Sequence, residues 1–121
     1  MSAELNEIAP GVVRVTWTPE LQEQGLGESS TAVRQAVERA FKGGSIRVET
    51  HVDPDDQVAQ RIATFSGLMR EGVARGVAEG DAGQEDRVVY ARLVDDTPLE
   101  DPTGFRSLLN SFLPRLSLIH I

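Results

Sequence analysis

The chain has 121 residues and a formal net charge of −7, because 19 Asp and Glu outnumber 12 Lys and Arg. This length fits one small domain rather than two. The negative charge argues against nucleic acid or an anionic membrane as the main partner, since both bind basic surfaces.

Cysteine is absent, which excludes a disulfide framework, a thiolate metal site and a cysteine nucleophile. His51 and His120 are too few and too far apart in the sequence to predict a metal site. No apolar run approaches the ~20 residues that a membrane span needs. The N-terminal sequence lacks the pattern of an export signal, so the cytoplasm is the expected compartment.

The first half of the chain predicts a strand, a helix and a second strand. Residues 11–17 are rich in β-branched side chains and predict a strand that ends before Pro19. Residues 20–27 end in two closely spaced glycines and predict a loop. A helix is predicted over 29–42, where Glu28, Ser29 and Ser30 supply a first-turn acid and capping oxygens, apolar residues recur at helical spacing and two glycines follow the end. Alternating polar and apolar residues predict the second strand over 46–52.

The second half predicts a further helix and a hairpin. The turn at 53–56 caps a helix that ends near Ser66, because the glycines that follow each cost ~1 kcal/mol relative to Ala inside a helix. Strands are predicted over 69–75 and 87–94, paired antiparallel across a polar turn at 77–86.

The resulting order of elements, β-α-β-α-β-β, predicts an α/β fold with a mixed sheet. Because a helix joins the first two predicted strands, we expect these strands to be parallel and connected by a right-handed crossover. The hairpin would then add two antiparallel strands to the same sheet.

The glycine-rich turn Gly25-Leu26-Gly27 precedes the predicted helix and is the first candidate site. The backbone N–H groups at a helix N-terminus have no partner within the helix, and the helix dipole makes this end positive. Such an end binds phosphate groups. The same pattern occurs in turns that hold no ligand, so a phosphate site and an ordinary turn are both open at this point.

A longer motif begins at the end of the second predicted strand. It contains Asp53, Pro54, Asp55, Gly67, Glu71, Gly72 and Arg75. The spacing of these residues resembles the C-terminal half of the GCN5-related N-acetyltransferases (GNAT), especially the subgroup that acetylates N-terminal amines of ribosomal proteins and similar amines. Residues 17–29 are similar to the acetyl-CoA loop of that family, and residues 88–94 to its penultimate strand. The resemblance covers about residues 11–95.

The resemblance implies a partial GNAT fold that binds acetyl-CoA and transfers the acetyl group to a primary amine of a small molecule or a protein N-terminus. In this family the two parallel strands splay apart, pantetheine pairs with the backbone of the first strand, and pyrophosphate lies on the loop N–H groups. The amine attacks the thioester directly, which requires a neutral amine and a stabilised oxyanion. The implied cofactor-binding residues are Thr16, Trp17, Thr18, Gln22, Gln24, Gly25, Leu26, Gly27, Glu28, Ser29 and Asp56.

Two registers of the phosphate loop fit the sequence. Gln22-x-x-Gly25-x-Gly27 keeps the spacing to the preceding proline, whereas Gln24-x-x-Gly27-x-Ser29 keeps the spacing to the predicted helix. We prefer the second register, because a loop absorbs inserted residues more easily than helix packing does.

Several positions depart from the family pattern. Asp56 replaces the motif Asn, Ala59 replaces its Ser, and Leu68 replaces a Phe. Ala63 stands where some members place a Tyr that acts as general acid. These departures keep two alternatives open: a non-catalytic CoA-binding or regulatory module fused to another enzyme, and a plain α/β interaction domain, whose sheet would be closed without a splay.

The motifs do not identify the catalytic residues. Glu49 and Tyr90 are weak candidates, the first as a base that acts through water and the second through a hydroxyl that reaches a cleft. The corresponding alternatives are a surface charge for Glu49 and a packing role for Tyr90. His51 lies on the polar face of its predicted strand, where a solvated or hydrogen-bonded side chain is expected rather than a catalytic one.

The predicted acetyltransferase domain spans residues 1–95 and lacks the strands and helices that open the GNAT domain. Three explanations are open: a truncated start, an internal start at Met1, or a deletion that joins an opening strand at 11–20 to the loop. A partial domain of this kind is expected to be inactive and to self-associate through its uncovered sheet edge.

The C-terminal part of the chain is predicted to form two short segments. Residues 96–115 resemble the connector in fusions of GNAT to a NUDIX hydrolase domain, which makes such a domain a candidate partner; a helix over 104–113 that packs on the sheet is the alternative. Residues 116–121 resemble a translated sequencing adapter, with a natural apolar tail as the alternative.

Overall fold

The computed structural model describes residues 3–81 and 83–96. In chain order its elements are β1 (Glu4–Ala9), β2 (Val12–Thr16), α1 (Pro19–Gln22), α2 (Leu26–Lys42), β3 (Arg47–Val52), α3 (Gln57–Phe65), β4 (Met69–Gly80) and β5 (Gly83–Leu93). Within these described ranges, no helix has both the length and the apolar character needed to cross a membrane.

The five strands form one mixed sheet in the order β1-β2-β3-β5-β4. β2 and β3 are parallel, and the other three neighbouring pairs are antiparallel. The predicted mixed α/β sheet, the parallel pairing of the first two predicted strands and the antiparallel hairpin are therefore confirmed.

α2 contributes one buried face to the core between helices and sheet. Its buried apolar residues recur at helical spacing and are Val33, Ala36, Val37 and Ala40. The helix ends at Lys42, as predicted, and Gly44 follows with a φ of +100°, which favours glycine. Arg92 of β5 joins the sheet to α2, because its guanidinium lies 4.9 Å from the centre of the Phe41 ring and donates to Glu38 at 2.7 Å.

α3 follows β3 through the turn at 53–56. Asp56 caps its start, since Oδ1 accepts a hydrogen bond from the N–H of Ala59 at 3.0 Å. The helix ends at Phe65, with Ser66 as its C-cap and Gly67 next at a φ of +98°. The predicted end of this helix is therefore confirmed.

Four features differ from the sequence-based prediction. β1 and α1 have no counterpart among the predicted elements. α2 begins at Leu26 and not at Ser29, and the hydroxyls of Ser29 and Ser30 donate to the carbonyls of Leu21 and Leu26 instead of capping the start of the helix. The polar turn predicted at 77–86 is wrong, since β4 and β5 pair as far as Gly80 and Gly83.

The predictions for the C-terminal part fall largely outside the described residues. These are the linker at 96–115, apart from Asp96, the helix at 104–113 and the terminal segment at 116–121.

Candidate active site

A cleft opens where the two parallel strands separate. The pairing of β2 with β3 ends at Arg14 and Glu49, although β2 continues to Thr16 and β3 to Val52. The cleft has a volume of about 200 Å³ and is lined by Thr16, Trp17, Gln22, Thr50, His51, Val52, Asp53, Asp56 and Ala59. Ligands of open α/β sheets bind at the carboxyl ends of strands, so this cleft is the candidate site.

The start of α2 presents free backbone donors. Gly25 is its N-cap, at a φ of +100° and without a side-chain cap. The N–H of Ser29 is the first to bond a carbonyl at this end, that of Gly25 at 2.9 Å. In the described part of the chain, the N–H groups of Leu26, Gly27 and Glu28 therefore have no hydrogen-bond acceptor. These three donors and the helix dipole can hold an anion.

The space outside this helix end is open. A Cβ atom added at Gly25 or at Gly27 would meet no other atom within 4 Å. A bound group could thus approach the backbone closely, which is the usual role of glycine in a phosphate loop.

α1 fixes the loop between the cleft and α2. Thr18 caps α1, and Leu21 is completely buried below it. The indole N–H of Trp17 donates to Oε1 of Gln22 at 2.8 Å, which joins two residues of the cleft wall. The hydroxyl of Ser29 donates to the carbonyl of Leu21 and so ties α2 to α1. The loop is therefore held by its own hydrogen bonds before any ligand is present.

The implied cofactor-binding residues fall into three groups. Those that line the cleft are Thr16, Trp17, Gln22 and Asp56. Those that form the start of α2 are Gly25, Leu26, Gly27 and Glu28. The other three lie elsewhere: Thr18 caps α1, Gln24 is exposed after α1, and the side chain of Ser29 is buried against Leu21.

The observed start of α2 favours the register Gln22-x-x-Gly25-x-Gly27. The argument for the other register assumed a helix that begins at Ser29, and α2 begins at Leu26. The sequence-based preference for the second register therefore lacks its structural basis.

Glu49 lies at the centre of a charged cluster on the sheet. It is 8% exposed, which contradicts the expected surface placement. Its Oε2 lies 3.3 Å from the guanidinium of Arg14 and 2.8 Å from Nε2 of His51, and its Oε1 lies 3.2 Å from Nε of Arg47. Arg47 also makes a two-pronged contact with Glu71, at 2.7 and 3.0 Å.

The cluster keeps its carboxylates ionised. Burial by itself would raise the pKa of Glu49, but hydrogen bonds from Arg47 and Arg14 outweigh burial and lower that pKa below its ordinary value. The hydrogen bond from Arg47 lowers the pKa of Glu71, partly offset by burial. The same hydrogen bond raises the pKa of Arg47. A carboxylate held in this way is a weak base, so Glu49 is not suited to take a proton from substrate by itself.

Tyr90 is buried on the helix side of the sheet. It is 4% exposed, and its hydroxyl lies 3.5 Å from Oε1 of Gln60 on α3. It lines a separate, larger depression of about 510 Å³ beside α3 and is not among the residues of the cleft. The packing alternative therefore describes its position better than a role in the cleft.

Sequence reasoning missed five residues of the cleft wall. These are Thr50, His51, Val52, Asp53 and Ala59. The signal that identifies most of them is their position at or after the carboxyl end of a strand next to a parallel neighbour. The sequence could not show where the pairing with β2 stops, because that depends on the register between the two strands.

The topology and the split parallel pair define a class of fold, the GNAT acetyltransferase fold in partial form. The sequence itself matches no protein-family model and no curated protein. The class therefore rests on solved structures that share the fold at low sequence identity.

Three of these solved structures illustrate the match. The ribosomal-protein-S5-alanine acetyltransferase from Vibrio fischeri aligns over 77% of this chain and 51% of its own, with a TM-score of 0.64 and 19% identity. A GNAT-family acetyltransferase from Bacillus anthracis aligns over 78% and 58%, with a TM-score of 0.69 and 18% identity. RimJ from Mycobacterium smegmatis, in complex with CoA-disulfide, aligns over 86% and 50%, with a TM-score of 0.65 and 17% identity. This chain thus spans between half and three-fifths of the length of each.

Proposed function

We propose that this chain is the cofactor-binding part of an acetyltransferase that moves the acetyl group of acetyl-CoA to a primary amine. The observation that carries the proposal is the cleft between β2 and β3 together with the three free N–H groups at the start of α2. Pantetheine would lie along the unpaired end of β2, and the pyrophosphate would accept hydrogen bonds from Leu26, Gly27 and Glu28. The CoA complex formed by RimJ, which shares the fold, supports this assignment.

An amine at a protein N-terminus is the acceptor class we propose first. Two of the solved structures with this fold are named as acetyltransferases of ribosomal proteins, one of them acting on alanine of protein S5. A short peptide with a free N-terminal alanine is therefore the first acceptor to test. A small aliphatic amine serves as the comparison for acceptor size.

A non-catalytic CoA-binding module is the second candidate. The specific observation in its favour is that neither sequence-based catalytic candidate is available in the cleft: Glu49 is bound by arginines, and Tyr90 is buried against α3. The two candidates differ in one measurable property, which is turnover of acetyl-CoA with an amine. The third alternative, a plain interaction domain, predicts that β2 and β3 pair along their whole length. Their pairing stops at Arg14 and Glu49, which argues against this alternative.

The first test is calorimetric titration of the full chain with CoA and with acetyl-CoA. The informative variant is Gly27→Asp, because a Cβ at Gly27 meets no atom and a carboxylate in the first helical turn favours the helix. We expect the new charge to weaken CoA binding about tenfold, since it repels the pyrophosphate and competes for the same N–H groups.

The matched control is Gly27→Asn, which has the same size and no charge. Its affinity for CoA should stay close to that of the unaltered chain. Equal CoA affinities of the Asp and Asn variants would show that the pyrophosphate does not bind at this helix end. Absence of CoA binding by the unaltered chain would contradict the proposed function itself.

A further inference from the structure

Residues from both faces of the sheet line the cleft. Successive residues of a strand point to opposite faces. Thr50 is 2% exposed and shares the helix-side face with the core, whereas His51 shares the opposite face with Glu49. Both residues line the cleft. A group held in the cleft is therefore accessible to His51 from the side of the sheet opposite to α2.

The contact with Glu49 defines which nitrogen of His51 carries the proton. Nε2 of His51 lies 2.8 Å from Oε2 of Glu49, and the His51 side chain is 20% exposed. An ionised carboxylate only accepts hydrogen bonds, so the proton of the neutral imidazole belongs on Nε2. Nδ1 then carries the lone pair and is the nitrogen that can accept a further proton.

The surrounding charges hold Glu49 in place as an anion. Arg14 on β2 and Arg47 on β3 both contact its carboxylate, and Arg47 is in turn fixed by Glu71 on β4. The other acidic groups of the cleft wall are Asp53 and Asp56. The acidic groups nearest to His51 are thus Glu49 and the two aspartates of the cleft wall, and Arg14 and Arg47 bind the same Glu49 carboxylate as the imidazole does.

We infer that His51 is the residue that takes the proton from the acceptor amine, with Glu49 as the positioning residue that orients its imidazole. This inference rests on the proposed function. The ammonium form of the acceptor gives one proton to Nδ1 of His51, and the resulting neutral amine attacks the thioester carbonyl carbon. The C–S bond breaks as the tetrahedral intermediate collapses, and the CoA thiolate takes the second proton of the amine nitrogen. The imidazolium then releases its proton to water, which leaves an amide, CoA thiol and one proton in solution.

The orientation of the imidazole can be tested without any turnover. Long-range ¹H–¹⁵N spectra of the labelled chain report which ring nitrogen is protonated, and His51→Gln assigns the signals because His120 is the other histidine. We expect the Nε2-protonated form for His51 and a shift toward a mixture of both forms in Glu49→Gln. A predominant Nδ1-protonated form in the unaltered chain would overturn the inference.

The chemical role is tested by acetyl transfer to the alanine peptide, with CoA binding measured separately by calorimetry. His51→Gln should lower kcat about 100-fold at neutral pH, a loss much larger than any loss of affinity for CoA. Added imidazole should restore part of the rate. His120→Gln is the matched control and should retain the rate.

The possible outcomes distinguish a failure of the proposed function from a failure of the role assigned to His51. No CoA binding by the unaltered chain would overturn the proposed function and this inference with it. CoA binding without turnover would agree with the sequence-based expectation that a partial domain is inactive; it would overturn the role of His51 in this chain and favour the non-catalytic module. Turnover that is equal in the unaltered chain and in His51→Gln would overturn the role of His51 alone.

Discussion

Glu49 is the residue whose environment differs most from its sequence pattern. In an alternating strand a glutamate between Arg47 and His51 predicts a solvated polar face. In the folded chain the same alternation places Arg47 and His51 beside one buried carboxylate, and Arg14 of the neighbouring strand is its third partner. The local pattern specifies the face of the strand, but burial of that face depends on neighbours that are distant in the sequence.

The lowered pKa of Glu49 predicts how stability depends on pH. Because the pKa of Glu49 in the folded chain lies below its ordinary value of 4.5, ionised Glu49 stabilises the fold above that pH. This contribution is lost as the pH falls through the lower pKa of the folded state. Glu49→Gln should therefore lower the free energy of unfolding by about 2 kcal/mol at pH 7, since it leaves Arg14 without its carboxylate and removes one of the two carboxylates that bind Arg47.

Urea titrations at pH 7 and at a series of acidic pH values measure this effect. The difference between the unaltered chain and Glu49→Gln should shrink as the pH is lowered below the ordinary pKa of Glu. Glu79→Gln, at an exposed carboxylate on β4, serves as the control and should change stability by less than about 0.5 kcal/mol. A difference for Glu49→Gln that is constant over the whole pH range would contradict the assigned pKa direction.

At the scale of elements, capping decides where α3 begins. The carboxylate of Asp56 accepts the N–H of Ala59 at 3.0 Å. Asp56→Ala removes this bond and should lower the free energy of unfolding by about 1 kcal/mol. Asp56→Asn keeps an acceptor oxygen at the same place and should be nearly neutral. Denaturant unfolding measures both, and equal losses in the two variants would show that charge, not capping, is what the position contributes.

The elements that could be predicted are those whose sequence carries its own signal. The helical spacing of Val33 to Ala40 specified α2, and the alternation over 46–52 specified β3. β1 carries no such signal, because its side chains are mostly exposed and its strand conformation depends on pairing with β2 across the turn at Gly11. The extra length of β4 has the same cause, since pairing with β5 at Ala74 and again at Ala78 carries the strand through the irregularity that contains Gly76, in spite of the low strand propensity of glycine.

The candidate site also contains some features that the sequence could predict and others that it could not. The loop residues that line the cleft or begin α2 could be named from the motif, because a glycine-rich turn before a helix has a known chemical use. The register of that loop could not be decided, since it depends on where α2 begins. Ser29 and Ser30 were interpreted as caps, but their hydroxyls are bonded to carbonyls of Leu21 and Leu26. Residue type alone does not distinguish a cap from a serine that bonds back within its own helix.

At the scale of the whole molecule, the sheet is open at β1. In the described residues β1 has β2 as its neighbour on one side and no strand on the other. Its residue Ile8 is 43% exposed. An unpaired edge with an exposed apolar side chain is a template for pairing with another chain. The solved structures that share the fold are longer, and about half of each lies outside the alignment with this chain.

We therefore expect the isolated chain to self-associate through β1, and Ile8→Lys to reduce that association. A lysine on an edge strand opposes pairing because its charge must stay in water. Val58→Lys is the matched control, since Val58 is 47% exposed and lies on α3, away from the edge. Sedimentation over a range of concentrations distinguishes the variants, because β1-mediated association predicts a more monomeric Ile8→Lys and an unchanged Val58→Lys. If both substitutions reduce self-association equally, the association is a general consequence of exposed apolar side chains and does not depend on β1.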